Sequence, residues 1–327
     1  MIALSVRTER FTLPSPLRAS WGELREREVL VVRLDFPDGL WGEGEAAPLE
    51  PYDGVSMGSV RAALDVYAEV LRSLEPTADV LDACRAERDL PQALAAIDLA
   101  LWDHASRRTG TPLARLIDPR AVGAVPVNAT IGAEDRAGAA AAAAAAARAG
   151  FRCVKVKVGI GDDAGRLAAV RAAVGPEVGI RVDANGAWGT VEVALAALRA
   201  LEPVGLELCE EPVHGVERLR EVQAQTKVTI AMDETHAPGA GATRAVCLKV
   251  TRGGITGVLA DARAARAAGA DVYLASTFDG PRGIAAAVHT AAALRITRSC
   301  GLATLAPAGA LTPRDGVIEV PQTTGLA

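Results

Sequence analysis

The stretch Val154-Lys155-Val156-Lys157-Val158-Gly159 decides the reading of this chain. Side chains alternate across a strand, so Lys155 and Lys157 share one face and the three valines share the other. Two ammonium groups held side by side make each other costlier to protonate, and a lysine with a lowered pKa is a usable base near neutral pH. In isolation such a pair would be the wet face of a half-exposed strand. A series of acidic residues that follows at regular intervals overturns that reading.

Outward from this strand, beginning at Val125, strand and helix patterns alternate with a period of about 25 residues, which implies parallel strands joined by helical crossovers. Strands are expected over 125–131, 151–158, 178–183, 205–210, 227–232, 245–249, 271–276 and 295–303, enough to close a barrel. The alanine run 139–147 fills a slot that needs a helix, and alanine is the best helix former.

Before Val125 the pattern differs. Residues 28–35 and 40–46 read as a hairpin around Pro37-Asp38-Gly39, whereas 14–27, with Arg18 and Arg25, reads as a mobile loop and candidate lid. Helices are expected over 60–74 and from Pro91 through Asp103, the latter stopped by Gly110-Thr111-Pro112. The expected organisation is an α+β capping domain over 1–118, a barrel with the active site over 119–303, and a tail over 304–327. The strand-like end of that tail, Asp315 to Pro321, returns to the capping domain.

Composition sets the boundaries of function. The chain has 327 residues, half of them apolar but only 3% aromatic, so a large core must be assembled from small aliphatic side chains. A net charge of −5 with no basic block argues against a nucleic-acid partner. No apolar run reaches membrane-spanning length, and the amino terminus carries charge too early for a signal segment, so a cytoplasmic location without membrane association is expected. The five cysteines are widely spaced, with no C-x-x-C pair, and read as reduced structural residues. The four histidines show no metal-ligand spacing.

At the expected carboxyl ends of successive strands stand Lys155 and Lys157, then Asp183, Glu210, Asp233 and Lys249. The carboxyl ends of the strands form the active face of such barrels. Three carboxylates converging there repel one another unless a divalent cation sits among them, and all-oxygen ligation suits Mg²⁺ or Mn²⁺. A metal that grips a substrate carboxylate disperses the charge that appears when the neighbouring carbon loses its proton. Lys157 and Lys249 would flank that substrate, and either could take the proton. The expected partner is a small carboxylate; oligomeric state is left open.

The motifs Trp41-Gly42-Glu43-Gly44-Glu45-Ala46-Ala47-Pro48, Ala96-Ile97-Asp98-Leu99-Ala100-Leu101-Trp102-Asp103 and Val125-Pro126-Val127-Asn128-Ala129-Thr130-Ile131-Gly132 accompany the Lys155-x-Lys157 strand. Beyond it stand Asp183-Ala184-Asn185, Glu210-Glu211-Pro212, Asp233-Glu234, Lys249 and Asp315-Gly316. Together they resemble the enolase superfamily, muconate lactonizing enzyme subgroup, across nearly the whole chain. The resemblance implies a (β/α)7β modified TIM barrel with an α+β capping domain formed by the N-terminal part and the C-terminal tail. It also implies Mg²⁺ ligation by Asp183, Glu210 and Asp233. Glu210 rather than Glu211 takes the ligand position because it stands two before Pro212.

Two departures narrow the choice within the superfamily. The histidine of the mandelate racemase and sugar-acid dehydratase branch is replaced by Ala275-Ser276-Thr277, and the Asp-x-Asp by which dipeptide epimerases hold an amino group is represented only by Asp279. The compact chain resembles the short o-succinylbenzoate synthases of menaquinone biosynthesis, lyases that dehydrate 2-succinyl-6-hydroxy-2,4-cyclohexadiene-1-carboxylate. On that resemblance Lys157 removes the proton and returns it to the departing hydroxyl. Lys155 keeps the pocket positive, and Lys249 stabilises the opposite face of the ring. Asn185 orients the carboxylate or a metal ligand, and Ser276 and Thr277 receive the succinyl tail. N-succinylamino-acid racemase and muconate-type cycloisomerase are the alternatives within the superfamily, and a catalytically silent metal-binding scaffold is the alternative outside it.

Overall fold

The computed structural model describes residues 1–19, 22–74, 78–132, 134–305 and 309–326, with side chains for all of these except 14, 15 and 17–19. An antiparallel sheet opens the chain, in the order β1 (Ala3–Ala19), β2 (Gly22–Asp35), β3 (Trp41–Ala46). Of the mobile loop expected over 14–27, residues 14–19 and 22–27 are instead the far end of the β1–β2 hairpin, paired out to Ala19 opposite Gly22, with a register irregularity between Thr12 and Leu17; 20 and 21 lie outside the described residues. Pro14 and Pro16 obscured the strand in sequence, yet β1 is an edge strand, where proline is tolerated. Arg25 is exposed and pairs with Glu23 at 2.5 Å, while the Arg18 side chain lies outside the described residues.

Helices α1 (Glu50–Asp53), α2 (Met57–Ser73), α3 (Val80–Glu87), α4 (Pro91–Thr109) and α5 (Leu113–Ile117) follow. Ser56 caps α2 by accepting a hydrogen bond from Ser59 N, and Gly110, at φ 66°, ends α4 in the left-handed region. The fit of α4 against β3 depends on two bare positions: a Cβ at Gly42 would lie 2.0 Å from Ala100 O, and one at Gly44 would lie 1.9 Å from Ala96 O. Glycines at period two on the strand thus meet alanines at period four on the helix.

The barrel proper is a parallel seven-stranded sheet. Its strands are β5 (Ala129–Ile131), β6 (Cys153–Lys157), β7 (Gly179–Asp183), β8 (Leu206–Glu210), β9 (Thr229–Met232), β10 (Ala245–Leu248) and β11 (Asp271–Leu274). The crossover helices are α6 (Arg136–Arg148), which contains the alanine run, α7 (Asp163–Val174), α8 (Val191–Leu201), α9 (Val216–Gln225), α10 (Gly254–Ala267) and α11 (Pro281–Ala293). Only a 3-10 turn, Pro238–Ala240, separates β9 from β10.

The strand expected over 295–303 is reduced to single parallel bridges, Cys300 to Val127 and Gly301 to Ala275, which close the ring between β11 and the segment leading into β5. The strand expected over 125–131 is split in two. Its first part, β4 (Ala124–Pro126), pairs antiparallel with β12 (Val317–Glu319) from the carboxyl-terminal tail. Beyond β12, Gly325 N donates to Ser106 Oγ at 3.0 Å and Leu326 N to Asp103 Oδ1 at 2.5 Å, so the tail ends on α4.

Val154, Val156 and Val158 turn outward into one core with Leu167 and Val170 of α7 and Ala139 and Ala143 of α6. Lys155 and Lys157 therefore turn into the barrel, as their alternation requires. All five cysteines are buried and unbridged. Among the described residues no helix is long and apolar enough to cross a membrane.

Candidate active site

Parallel register aligns Lys157 of β6 with Asp183 of β7, and Asp183 with Glu210 of β8, at the carboxyl ends of three adjacent strands. Asp183 Oδ2 receives both lysines, Lys155 Nζ at 2.9 Å and Lys157 Nζ at 2.7 Å. Lys155 also reaches Glu210 Oε1 at 3.1 Å. For Lys155 these contacts reverse the expected depression of the amine's pKa. Burial disfavours the Lys155 charge, but Asp183 and Glu210 outweigh it and raise that amine well above its ordinary value.

Across the barrel Asp233, just past β9, makes an ion pair with Lys249, just past β10. Tyr52 OH of α1 donates to Asp233 Oδ1 at 2.9 Å, and Arg252 Nη1 donates to Asp233 O at 2.7 Å. Arg252 also hydrogen-bonds the Tyr52 hydroxyl, and the Lys249 amine lies 5.0 Å from the centre of the Tyr52 ring. Against the cost of burial, Lys249 and Arg252 hold the Asp233 carboxyl below the usual range, as Lys155 and Lys157 do for Asp183. Glu210 is pushed the other way, by burial and by Asp183 and Asp233, although Lys155 opposes the shift.

Buried carboxylates in mutual repulsion, compensated by Lys155, Lys157, Lys249 and Arg252, form a donor set suited to a hard cation. Oxygens of Glu210 and Asp233 lie within 4.8 Å of each other and of Cys247 Sγ. Asp183 joins Glu210 through their shared contact with Lys155. Burial and Asp233 hold the Cys247 thiol well above its ordinary pKa, so it remains a neutral, soft neighbour of a hard-oxygen set. A second group, Glu211, His214 and Glu234, also brings ligand atoms within 4.8 Å. Glu211 is committed elsewhere: Oε2 accepts from Asp233 N at 2.8 Å, and Oε1 from Thr235 N at 3.0 Å.

Asn185, at φ 45°, accepts from Lys157 Nζ at 2.7 Å and donates to Glu234 Oε1 at 2.7 Å, so it steadies the lysine beside Asp183. The pocket over these groups is walled by Leu49, Tyr52, Ser276, Thr277, Phe278 and Thr304. Ser276 Oγ pairs with Thr304 Oγ1 at 2.9 Å. The Thr277 hydroxyl is engaged by Asp279 Oδ1 at 2.7 Å and Ala47 O at 3.2 Å, which ties it to the capping side. Asp279 is fully buried and does not line the pocket.

The sequence reading does not single out Tyr52, Arg252, Tyr273 or Phe278, nor Leu49 and Thr304 of the pocket wall. Tyr273 lies buried in β11 and donates to Glu210 Oε2 at 2.6 Å; its place two residues before the pocket-lining Ala275 was a usable signal. No pattern pointed to Tyr52, which approaches from the other side of the site.

The chain matches the family described as mandelate racemase / muconate lactonizing enzyme, N-terminal domain, over residues 1–118. It matches the enolase C-terminal domain-like family over 138–327. A dipeptide epimerase from Enterococcus faecalis, solved with Mg and L-Leu-L-Tyr, superposes with a TM-score of 0.90 at 27% identity, covering 99% of this chain and 98% of that one. The N-succinyl Arg/Lys racemase from Bacillus cereus superposes at 0.91 with 25% identity, covering 99% and 94%. An o-succinylbenzoate synthase from Thermobifida fusca is 38% identical over 55% of this chain and 60% of that one.

Proposed function

Because the chain belongs to the mandelate racemase and muconate lactonizing enzyme group of the enolase superfamily, we propose that it abstracts a proton beside a substrate carboxylate, in the dehydration of 2-succinyl-6-hydroxy-2,4-cyclohexadiene-1-carboxylate to 2-succinylbenzoate, a step of menaquinone biosynthesis. Asp183, Glu210 and Asp233 would hold Mg²⁺, with Mn²⁺ as a substitute. When bound, the cation would supply positive charge that disperses the charge developing on the substrate carboxylate, and would compete with the lysines for the three acids.

Lys157, steadied by Asn185, takes the ring proton at C1; the electron pair of that C–H bond forms the new ring double bond as the C6–O bond breaks. The same amine returns its proton to the departing hydroxyl, so water leaves and the ring becomes aromatic. Lys155 stays charged between Asp183 and Glu210, and Lys249 presents a cation from the opposite wall. Ser276 offers a hydroxyl to the succinyl arm; Thr277, engaged by Asp279 and Ala47, shapes the wall behind it.

One observation carries the choice of substrate class. A dipeptide brings an ammonium group that must meet a carboxylate, yet the carboxylates lining the described pocket are Asp183 and Asp233, both already against lysines. Asp279 is turned away, and Gly301 and Thr304 of the closing segment carry no charge. A succinyl compound requires no such partner.

Racemisation of N-succinylamino acids is the second reading, favoured by the placement of Lys157 and Lys249 on β6 and just past β10, across the ring from each other. Purified chain with Mg²⁺ should form the aromatic product from the cyclohexadiene carboxylate and stop on chelation. Epimerisation of dipeptides without dehydration would reject the assignment.

A further inference from the structure

Away from the reaction pocket, two acids from different parts of the chain meet in the dry interior. Glu45 of β3 is 2% exposed and Asp279, between β11 and α11, is 0% exposed. A methyl group on Gly283 would strike Asp279 Cβ at 2.7 Å and Glu45 Oε1 at 2.9 Å, so the two side chains converge over that bare backbone. One oxygen of each is satisfied: Glu45 Oε1 accepts from Gly280 N at 2.6 Å, and Asp279 Oδ1 from Thr277 N at 3.1 Å. The other oxygens, Glu45 Oε2 and Asp279 Oδ2, are buried without a hydrogen-bond partner. Orphaned carboxylate oxygens are costly, whereas a proton on one acid makes it a donor.

Charge balance points the same way. The cations facing the pair are Arg27 of β2, Arg282 of α11 and Lys249, and Asp53 of α1 faces Arg27 in turn. Arg282 is held by Glu43 at 2.7 Å and Glu9 at 3.1 Å, and Lys249 by Asp233. Among the described residues that leaves Arg27, whose guanidinium donates to the carbonyls of Ala47, Pro48 and Phe278 at 3.0, 2.9 and 3.1 Å, to balance two acids. A single proton leaves the Glu45–Asp279 pair with one negative charge opposite Arg27.

We propose that Glu45 and Asp279 share one proton and thereby clasp the capping sheet to the segment 276–280 that walls the reaction pocket. Both are positioning residues, since neither lines the pocket. Burial and the neighbouring Asp279 push the Glu45 carboxyl up to about 7, and burial raises Asp279 as well. Loss of the proton leaves two like charges behind the wall that carries Phe278, whose backbone is already in the left-handed region at φ 58°.

The folded chain keeps a proton that the unfolded chain releases near the ordinary carboxylate pKa. Denaturation of wild type and Glu45→Gln from about pH 5 to pH 8 tests this. The folding constant of wild type relative to the variant should fall about tenfold per pH unit up to about pH 7 and then level off. Parallel curves overturn the clasp. Asp279→Asn gives the same comparison should Glu45→Gln not fold, and absence of a protonated-carboxyl infrared band in wild type at about pH 6 overturns it without any variant.

A second arm reads the pocket and rests on the proposed substrate. KM rises above about pH 7 in wild type and is indifferent to that interval in Glu45→Gln. Denaturation requires no substrate, so failure of the clasp and failure of the functional reading are distinguishable.

Discussion

Tyr52 donates a hydrogen bond of 2.9 Å to Asp233 Oδ1, so an acid at the barrel mouth is oriented by a residue from the α1 helix above it. Arg252 completes the arrangement by holding both the Tyr52 hydroxyl and the Asp233 carbonyl.

Tyr52→Phe removes the donor and keeps the ring over Lys249. Partners that orient a metal ligand are worth about 10–100-fold in affinity or activity, so Mg²⁺ binding by calorimetry should weaken by that order while thermal stability changes little. Unchanged Mg²⁺ affinity would show that Asp233 is oriented without Tyr52, by Lys249 and Arg252.

Lys157 and Lys249 separate by substitution. Lys157→Ala should cost about 10²–10⁴ in turnover, the usual worth of a positioned acid–base group, while Mg²⁺ affinity persists. Lys249→Arg keeps the cation and loses a practical base. Residual dehydration with complete loss of racemisation, followed by product absorbance and chiral separation, is the expected pattern.

Gly44→Ala would place a methyl 1.9 Å from Ala96 O, a backbone atom that cannot rotate away. Overpacking of this kind costs about 1–3 kcal/mol and more where backbone must shift, so a substantially lower denaturation midpoint is expected. A midpoint equal to wild type would contradict the close approach of α4 to β3.

His289 provides an acid limb of stability. It is fully buried in α11, its Nδ1 accepts from Ala114 N at 3.3 Å, and burial lowers its pKa from 6.5 to about 4. The unfolded chain therefore binds a proton that the folded chain refuses. The stabilisation is present above pH 6.5 and is lost at about 1.4 kcal/mol per unit as the pH falls toward 4. His289→Phe should flatten this dependence in denaturant titrations between those pH values.

The barrel was legible because its signals are local. Alternation fixed Lys155 and Lys157 on the inner face, and the acids at 183, 210 and 233 mark the ends of successive strands. The closing segment is shorter than its apolar pattern suggests: Cys300 and Gly301 make one bridge each in place of a strand over 295–303. The 14–27 hairpin was hidden by prolines that an edge strand accepts. Electrostatics were the least legible. Proximity of two lysines was visible in the sequence, but the acids that raise Lys155 come from two other strands. The Gly42-Glu43-Gly44-Glu45 run shows the same limit: its glycines admit α4, while Glu43 reaches Arg282 and Glu45 reaches Gly280, contacts that exist only after folding.

The most direct test of the account is a crystal structure with Mg²⁺ and 2-succinylbenzoate bound. One ion is expected to touch Asp183, Glu210 and Asp233, with Lys157 released from Asp183 toward the ring and Lys249 on the ring's other face. An ion held instead by Glu211, His214 and Glu234, or a Lys157 still paired to Asp183 beside the bound product, would contradict it.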